Sequence, residues 1–253
     1  MINQQDQSFI KFTLKPLVMT VQEIMDDLQS HGSESIKKIL LKHGVKEPFF
    51  GVKIEYLKPI QKKVKMDYQL AKDLYATGNA DAMYLAGLIA DDEKMTKNDL
   101  DTWVERAVSN NISEYTVPWV ATGSNYGFEL ALEWIESSQE YIAAAGWSTL
   151  SNIVSLKPDN ELDLSSLKML LSRVEKNIHS APNRARNTMN GFMIAVGTYI
   201  TALTDDAIAT AKRIGTVTID TNRTACKVPY AVDYIKKAID KGVIGKKKKM
   251  VKC

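Results

Sequence analysis

Three histidines and two cysteines are all that this 253-residue chain offers as nitrogen or sulfur metal ligands, and they do not cluster. His31 and His43 each precede a glycine at the expected end of a helix, where exposed carbonyls favour an imidazole, and His179 stands alone. Cys226 and Cys253 lie near one end without a neighbouring histidine. Neither a zinc spacing nor a Cys–His nucleophile pair is present. The patterns GxGxxG, GxxxxGK(S/T) and GxSxG are absent, so dinucleotide, P-loop and hydrolase-elbow chemistry has no local support. No cofactor and no metal is expected.

The chemistry that remains is cationic and aromatic. From Lys236 to Cys253 eight lysines stand against Asp240 alone, a local +7 that leaves −4 for the rest of a chain whose overall charge is +3. A lysine-dense end on a mildly acidic body suits a polyanionic partner, with a solvated tail as the plain alternative. Trp103, Trp134 and Trp147 fall on apolar faces of expected helices and read as core. Trp119 and Tyr115 lie in a helix-start segment interrupted by Pro118, and Tyr126 follows Gly123-Ser-Asn. These three could offer a stacking surface to an unpaired base, against the competing reading of core packing.

Nearly every segment that must position these groups reads as helix. Ser33 caps a run with Ile36, Ile39 and Leu40 at helical spacing, and Gly44 stops it. Ile54, Leu57, Ile60 and Val64 repeat the pattern with lysines on the other side. Two short helices carry Leu70 and Leu74, then Met83, Leu85, Leu88 and Ile89, separated by Gly78-Asn79. Thr96 with Asp99 resembles a capping box before Leu100, Trp103 and Val104; Ser137 with Glu140 repeats the signal before Ile142, Ala145 and Leu150. Leu164–Ile178 and Arg186–Leu203 complete the long helices. Such pairs recurring at roughly 30 to 45 residues are the mark of helical solenoids. The one alternating stretch, 215–228, has Val217 and Ile219 between threonines and Thr221-Asn222 as a turn, and predicts a β-hairpin closed by Pro229.

With 45% hydrophobic and 25% charged residues the composition is that of an ordinary globular chain, which excludes wholesale disorder. The longest uncharged apolar run, Gly191 to Leu203, is too short to span a bilayer, and the N-terminal residues show no secretory pattern. The expectation is a reduced, cytoplasmic, all-α protein with no membrane role. It would form one helical-repeat domain over 1–253, a monomer being favoured, with a basic tail at 242–253 for which flexibility is one reading.

Four motifs in order give this helix array a family resemblance. Pro48-Phe-Phe-Gly-Val-Lys-Ile-Glu-Tyr-Leu-Lys58, Met95 to Val104, Glu133 to Trp147, and Ala225-Cys-Lys-Val-Pro-Tyr-Ala with its following lysines resemble the HEAT-like-repeat DNA alkylation-repair family. The resemblance runs from about residue 48 to the C-terminus. It implies an α-solenoid related to glycosylases that excise cationic N-alkylpurines. For such excision a carboxylate must stabilise an oxocarbenium-like sugar, aromatic faces the positive base, and an arginine the backbone.

The chain departs from that pattern where it matters. The resemblance places a Trp and, four residues later, an Asp in Ile112-Ser-Glu-Tyr-Thr-Val-Pro-Trp-Val120. With Tyr115 at the Trp position, Trp119 stands where the acid belongs; a shift of two residues puts Val117 there. Glu114 is the only carboxylate in the stretch, and neither register aligns it. Where relatives carry basic residues before an Ala-Gly, this chain has Ala143 and Ala144, and near Gly191 an expected aromatic is missing or displaced to Phe192. Loss of one transition-state partner typically costs about 10²–10³ in rate. The degenerate site at Tyr115, Trp119 and Ala144 therefore leads to the expectation of no catalytic residue.

What survives points to DNA binding through the backbone. Candidate contacts are Lys53, Lys58, Lys62, Lys63, Arg184, Arg186, Asn222, Arg223 and Lys246, Lys247, Lys248 with Lys249 behind them. Non-glycosylase relatives are described as binding branched DNA, and a hairpin tip at Thr221, Asn222 and Arg223 suits a junction or a major groove. The expected function is recognition of duplex, distorted or branched DNA without base excision. The alternatives are an active N-alkylpurine glycosylase using Glu114, and a protein-interaction solenoid with no nucleic-acid role.

Overall fold

The computed structural model describes residues 19–107, 109–221 and 227–252. Among these residues there are thirteen α-helices and no strand. They are α1 (Val21–Ser30), α2 (Glu34–Lys42), α3 (Ile54–Val64), α4 (Tyr68–Ala76), α5 (Ala80–Ile89), α6 (Lys97–Arg106), α7 (Val117–Gly123), α8 (Gly127–Trp134), α9 (Glu140–Leu156), α10 (Leu164–Asn177), α11 (Asn183–Tyr199), α12 (Thr204–Ile214) and α13 (Ala231–Asp240). A single π-helical stretch, Ile112–Thr116, leads into α7.

Local side chains set most of these boundaries. Ser33 caps α2, and Gly44 follows its end at φ +82°, a conformation that costs glycine little. Asn79 accepts from the amides of Asp81 and Ala82 to start α5. Thr96 and Asp99 form a complete capping box on α6. The Ser137–Glu140 box does not form: Ser137 Oγ accepts from the Gln139 amide, and α9 begins at Glu140 with Gln139 as its uncapped N-terminal neighbour. Arg186–Leu203 divides into α11, which starts three residues earlier, and a short 3₁₀ turn, Thr201–Leu203.

The hairpin expected at 215–228 is not supported. Residues 215–221 and 227–230 carry no strand, and 222–226, with Asn222 and Arg223, lie outside the described residues. The alternation of Val217 and Ile219 with threonines has another cause. Asn183 on α11 donates to Asp220 O (2.9 Å) and accepts from Asp220 N (2.7 Å), while Arg186 donates to Thr218 O (3.0 Å). Side chains of α11 thus take the hydrogen bonds that a ladder would have used, and Val217 is buried in the core. Gly215, at φ +72°, turns the chain out of α12.

Two large apolar clusters fill the array. One gathers Ile24, Leu57, Leu74, Leu85, Trp103 and Trp119 from α1 and α3 to α7, with Leu130 and Trp134 of α8, and reaches Ala145 of α9. The other gathers Trp147, Leu171, Phe192, Val196 and Ile235 from α8 onwards. They meet along α8 and α9, where Gly146 brings α9 so close to Ala131 O that a Cβ would lie 2.8 Å from it. The most extensive helix–helix contact is that of α9 with α11. Trp103 stacks on Tyr75 at 4.0 Å and 6°, and the Tyr75 hydroxyl donates to Trp103 O at 2.6 Å. Trp103, Trp134 and Trp147 are all core, as their helical spacing predicts.

Residues 243–252 lie across the C-terminal ends of three helices. Gly245 N donates to Thr198 O at the end of α11, and Lys248 N to Ser155 O at the end of α9. Lys247 Nζ reaches Val154 O (2.9 Å) and pairs with Asp159 (2.8 Å). Lys252 Nζ reaches Ala90 O just past α5 (3.2 Å) and pairs with Asp92 (2.6 Å). Cations and amide donors at these positions meet the unpaired carbonyls and the negative ends of helix dipoles.

Candidate nucleic-acid interface

A buried ion pair joins the stretch before α7 to the start of α11. Glu114 sits in the π-helical stretch, whose wide turn sends its carboxylate inward and leaves Tyr115 about half exposed. Arg184, on the first turn of α11 and 70 residues away, donates to both carboxylate oxygens, Nε to Oε1 at 2.6 Å and a terminal nitrogen to Oε2 at 2.7 Å. Asn187, one turn along α11, adds a weaker donor at 3.3 Å. Only 4% of the Glu114 side chain and 19% of Arg184 is exposed. Burial pushes the Glu114 carboxyl above its ordinary range, and the Arg184 and Asn187 donors pull against it without cancelling it. The arginine stays charged, since burial disfavours its charge but the Glu114 partner more than restores it.

Two clefts open beside this pair. The larger, about 500 Å³, is bordered by α2's end, the loop before the π-turn, the starts of α9 and α11, and residues 219–221 and 227. Tyr115, Tyr141 and four asparagines (Asn110, Asn111, Asn183 and Asn187) line it. Among the described residues its charged side chains are Glu140, Asp220, Arg184 and Lys227. Lys46, next in sequence to the lining residue Val45, holds its ammonium 5.7 Å from the Tyr141 ring centre. The Glu140 carboxylate accepts from the Arg184 backbone amide, which fixes the start of α11 against the start of α9.

The second cleft, about 330 Å³, lies on the other side of Tyr115 and runs between α9 and α11 to Tyr199 and Lys248. Trp119 borders it although only 4% of that residue is exposed; its ring meets Tyr84 edge-on at 5.3 Å and lies 6.3 Å from Tyr115. Ser148, Ser151, Asn152 and Ser155 face it from α9. A Cβ on Gly191 would touch nothing within 4 Å, so the position where an aromatic was expected opens onto empty space. Phe192, the displaced candidate, is fully buried against Trp147 and reaches neither cleft.

The other residues singled out by sequence fall into three groups. Ala143 and Ala144 are buried in the packing of α9, so no side chain there reaches a cleft. Lys53, Lys58, Lys62 and Lys63 are exposed on or beside α3 and border neither cleft; Lys53 pairs with Glu55 at 3.3 Å. Arg186 holds Thr218 O and Ala181 O, and Lys247 is tied to α9, whereas Lys246 and Lys248 are exposed. Lys248 alone of these lysines borders a cleft, with its ammonium 5.6 Å from the Tyr199 ring centre.

Sequence reasoning missed Tyr141, Glu140, Lys46 and the asparagines. One signal was available: Asn183, Asn187 and Gly191 repeat at four-residue intervals, which marks one polar, open face of α11. Among the described residues no three His, Cys, Asp or Glu side chains converge on a metal-sized site.

Three comparisons bear on this arrangement. The profile of the family described as DNA alkylation repair enzyme matches residues 24–235. Two uncharacterised proteins, Lin0241 of Listeria innocua and Lmo0209 of Listeria monocytogenes, are each 31% identical to the chain over 227 residues, covering 87% of it and 98% of each of them. A solved structure superposes with a TM-score of 0.87 at 36% identity, covering 93% of this chain and 100% of its own. It is described as representing a new family of proteins related to the HEAT-like repeat DNA glycosylases with affinity for branched DNA structures.

Proposed function

Since the chain belongs to the DNA alkylation repair family, we propose that it is a DNA-binding member that recognises distorted or branched DNA through backbone contacts and does not excise bases. The observation that carries this reading is the Glu114–Arg184 pair. The carboxylate of the expected catalytic stretch has both oxygens engaged by one guanidinium, and the two registers of that stretch put a buried Trp119 or a buried Val117 where the family's acid is expected. A carboxylate that must stabilise positive charge on a sugar needs a free oxygen directed at the substrate. The likeness to a structure whose family is described as having affinity for branched DNA supports the choice of ligand.

The binding mode follows from the charges. Phosphates would be met at or beside the clefts, by Lys46, Lys227 and Lys248, together with the exposed Lys246 and Lys249. Such contacts release counterions, so affinity falls linearly on a log–log plot against salt.

A second reading rests on the carboxylates that border the clefts, for Glu114 borders the second one together with Tyr115 and Trp119. Glu140 borders the larger cleft together with Tyr115, a carboxylate and an aromatic face on one cavity, as an N-alkylpurine glycosylase would require. One experiment separates the two. Release of methylated purines from alkylated DNA is measured for the wild type, Glu114→Gln and Glu140→Gln, beside gel shifts on duplex and four-way-junction DNA. No purine release, with salt-sensitive preference for the junction, supports the binder. Release that disappears in either variant makes the protein a glycosylase with a relocated acid and overturns the proposal.

A further inference from the structure

We propose that the lysine-rich segment 243–252 is a positioning strap: its anchors on Asp159 and Asp92 hold Lys248 beside the second cleft, where its ammonium meets a backbone phosphate of the bound DNA. This rests on the DNA-binding reading above.

The segment uses its lysines in two ways. Lys247 and Lys252 turn inward, with only 19% and 18% of their side chains exposed, and each ammonium holds both an acid and a backbone carbonyl near a helix end. Lys246, Lys248 and Lys249 are exposed. Lys248 has no acidic partner among the described residues, and its ammonium stands 5.6 Å from the Tyr199 ring centre at the cleft. Its backbone is fixed as well: Lys248 N donates to Ser155 O at 2.8 Å, and Gly245 N to Thr198 O at 2.9 Å. A lysine on a free tail loses backbone freedom when it meets a phosphate. One pinned at 245, 247, 248 and 252 has lost it already, so less of the contact is spent on ordering.

The cleft supplies the remaining groups. Ser148 and Asn152 border it from α9, one turn apart, and among the described residues their side chains make no hydrogen bond. A hydroxyl and an amide are therefore available to phosphate oxygens. Ser151 and Ser155 differ, since their hydroxyls donate to Trp147 O and Asn152 O. Glu114 also borders this cleft, but Arg184 engages both its oxygens. Lys248 is the only cation among the described residues that line it.

Release of the strap has a sign opposite to simple electrostatics. Removing Asp92 or Asp159 makes the protein more positive, which by itself tightens binding to a polyanion. With the anchors gone, Lys248 loses its place and binding weakens instead.

The test measures anisotropy of a fluorescein-labelled four-way junction between about 50 and 200 mM salt. The proteins are the wild type, Lys248→Met, the double variant Asp92→Ala with Asp159→Ala, the triple variant, and Asp205→Ala, which removes an exposed acid on α12 outside the strap. Lys248→Met should lower the log–log salt slope by about one. The double acid variant should bind more weakly and lower the slope at least as much, and adding Lys248→Met to it should change nothing more. Asp205→Ala should bind no more weakly than the wild type. Circular dichroism melts check folding; if the double variant does not fold, Asp159→Ala carries the comparison, since 39% of that side chain is already exposed. Acid variants that bind as tightly as the wild type or more so, an unchanged slope in Lys248→Met, losses that add in full, or an equal weakening in Asp205→Ala overturn the strap while leaving DNA binding intact. No salt-sensitive binding by the wild type overturns the functional reading and the strap together.

Discussion

Removing the Arg184 guanidinium would strand the Glu114 carboxylate where water scarcely reaches. Loss of one partner from a buried pair costs about 3–5 kcal/mol, because the other charge is left uncompensated. Arg184→Ala should therefore lower the melting temperature substantially. The direction with pH follows from linkage: an unpaired buried carboxyl has a higher pKa folded than unfolded, so the native state binds the extra proton. The variant's stability should fall as pH rises through that interval, more steeply than the wild type's. Replacing the pair together, with Glu114→Leu and Arg184→Met, should restore most of the loss. A melt series from pH 5 to 8 checks all three statements. If Arg184→Ala melts like the wild type, the pair contributes nothing to the fold.

The same residues show how far a sequence can be read at this scale. Glu114 and Tyr115 are neighbours, yet one is buried and the other exposed, because a π-turn widens the helix at that point. No residue pattern in Ile112–Thr116 announces that turn. Arg184 stood out as a cation, but its partner lies 70 residues away, and a sequence carries no local mark of such a pairing. Trp119 was legible as an unusual aromatic beside Pro118; that it would be buried against Tyr84 depended on α5, a separate element.

At the scale of elements, caps and hydrophobic spacing predicted most of the helices, since their causes lie within four residues of their effects. Ser33, the Thr96–Asp99 box and Gly44 act as their types require. The hairpin failed for the opposite reason: the hydrogen-bond partners of residues 218 and 220 are Arg186 and Asn183 on α11, which no alternation pattern reveals. A further non-local tie holds the loop before α3. Asp81 on α5 accepts from the amides of Phe50 (2.6 Å), Gly51 (3.0 Å) and Val52 (3.2 Å), although its burial raises its pKa against those donors. Asp81→Ala would leave three donors without an acceptor, at about 1–3 kcal/mol for each that water cannot reach. The expected outcome is a loss of about 2–4 kcal/mol in urea denaturation. A change below half a kcal/mol would mean that the loop finds other partners.

For the molecule as a whole, the lysine-rich C-terminal segment has a pH signature. Asp92 is half-buried beside Lys252, and loss of water contact raises its carboxyl to about 6 in spite of that cation, with Asp91 and Glu93 adding to the rise. The folded state then holds a proton that the unfolded chain releases near pH 4. Asp92 therefore favours the fold most below pH 4, and that contribution declines as pH rises to about 6, by at most about 3 kcal/mol. Relative to Asp92→Asn, the wild type should lose stability across this window and run parallel above it. Parallel curves throughout would show that Asp92 is ionised across the whole window.

That segment also changes what kind of object the helix array is. In a simple solenoid each repeat touches only its neighbours, so the ends can fray one link at a time while the middle stays folded. Here residues 245–252 lace α11, α9 and α5 together, and the Glu114–Arg184 pair fastens the π-turn to α11 across the same gap. Opening α13 or α12 pulls on a cord whose far end is knotted beside α5. The array is closed like a hoop more than strung like beads, and its amides should exchange with solvent in one cooperative step.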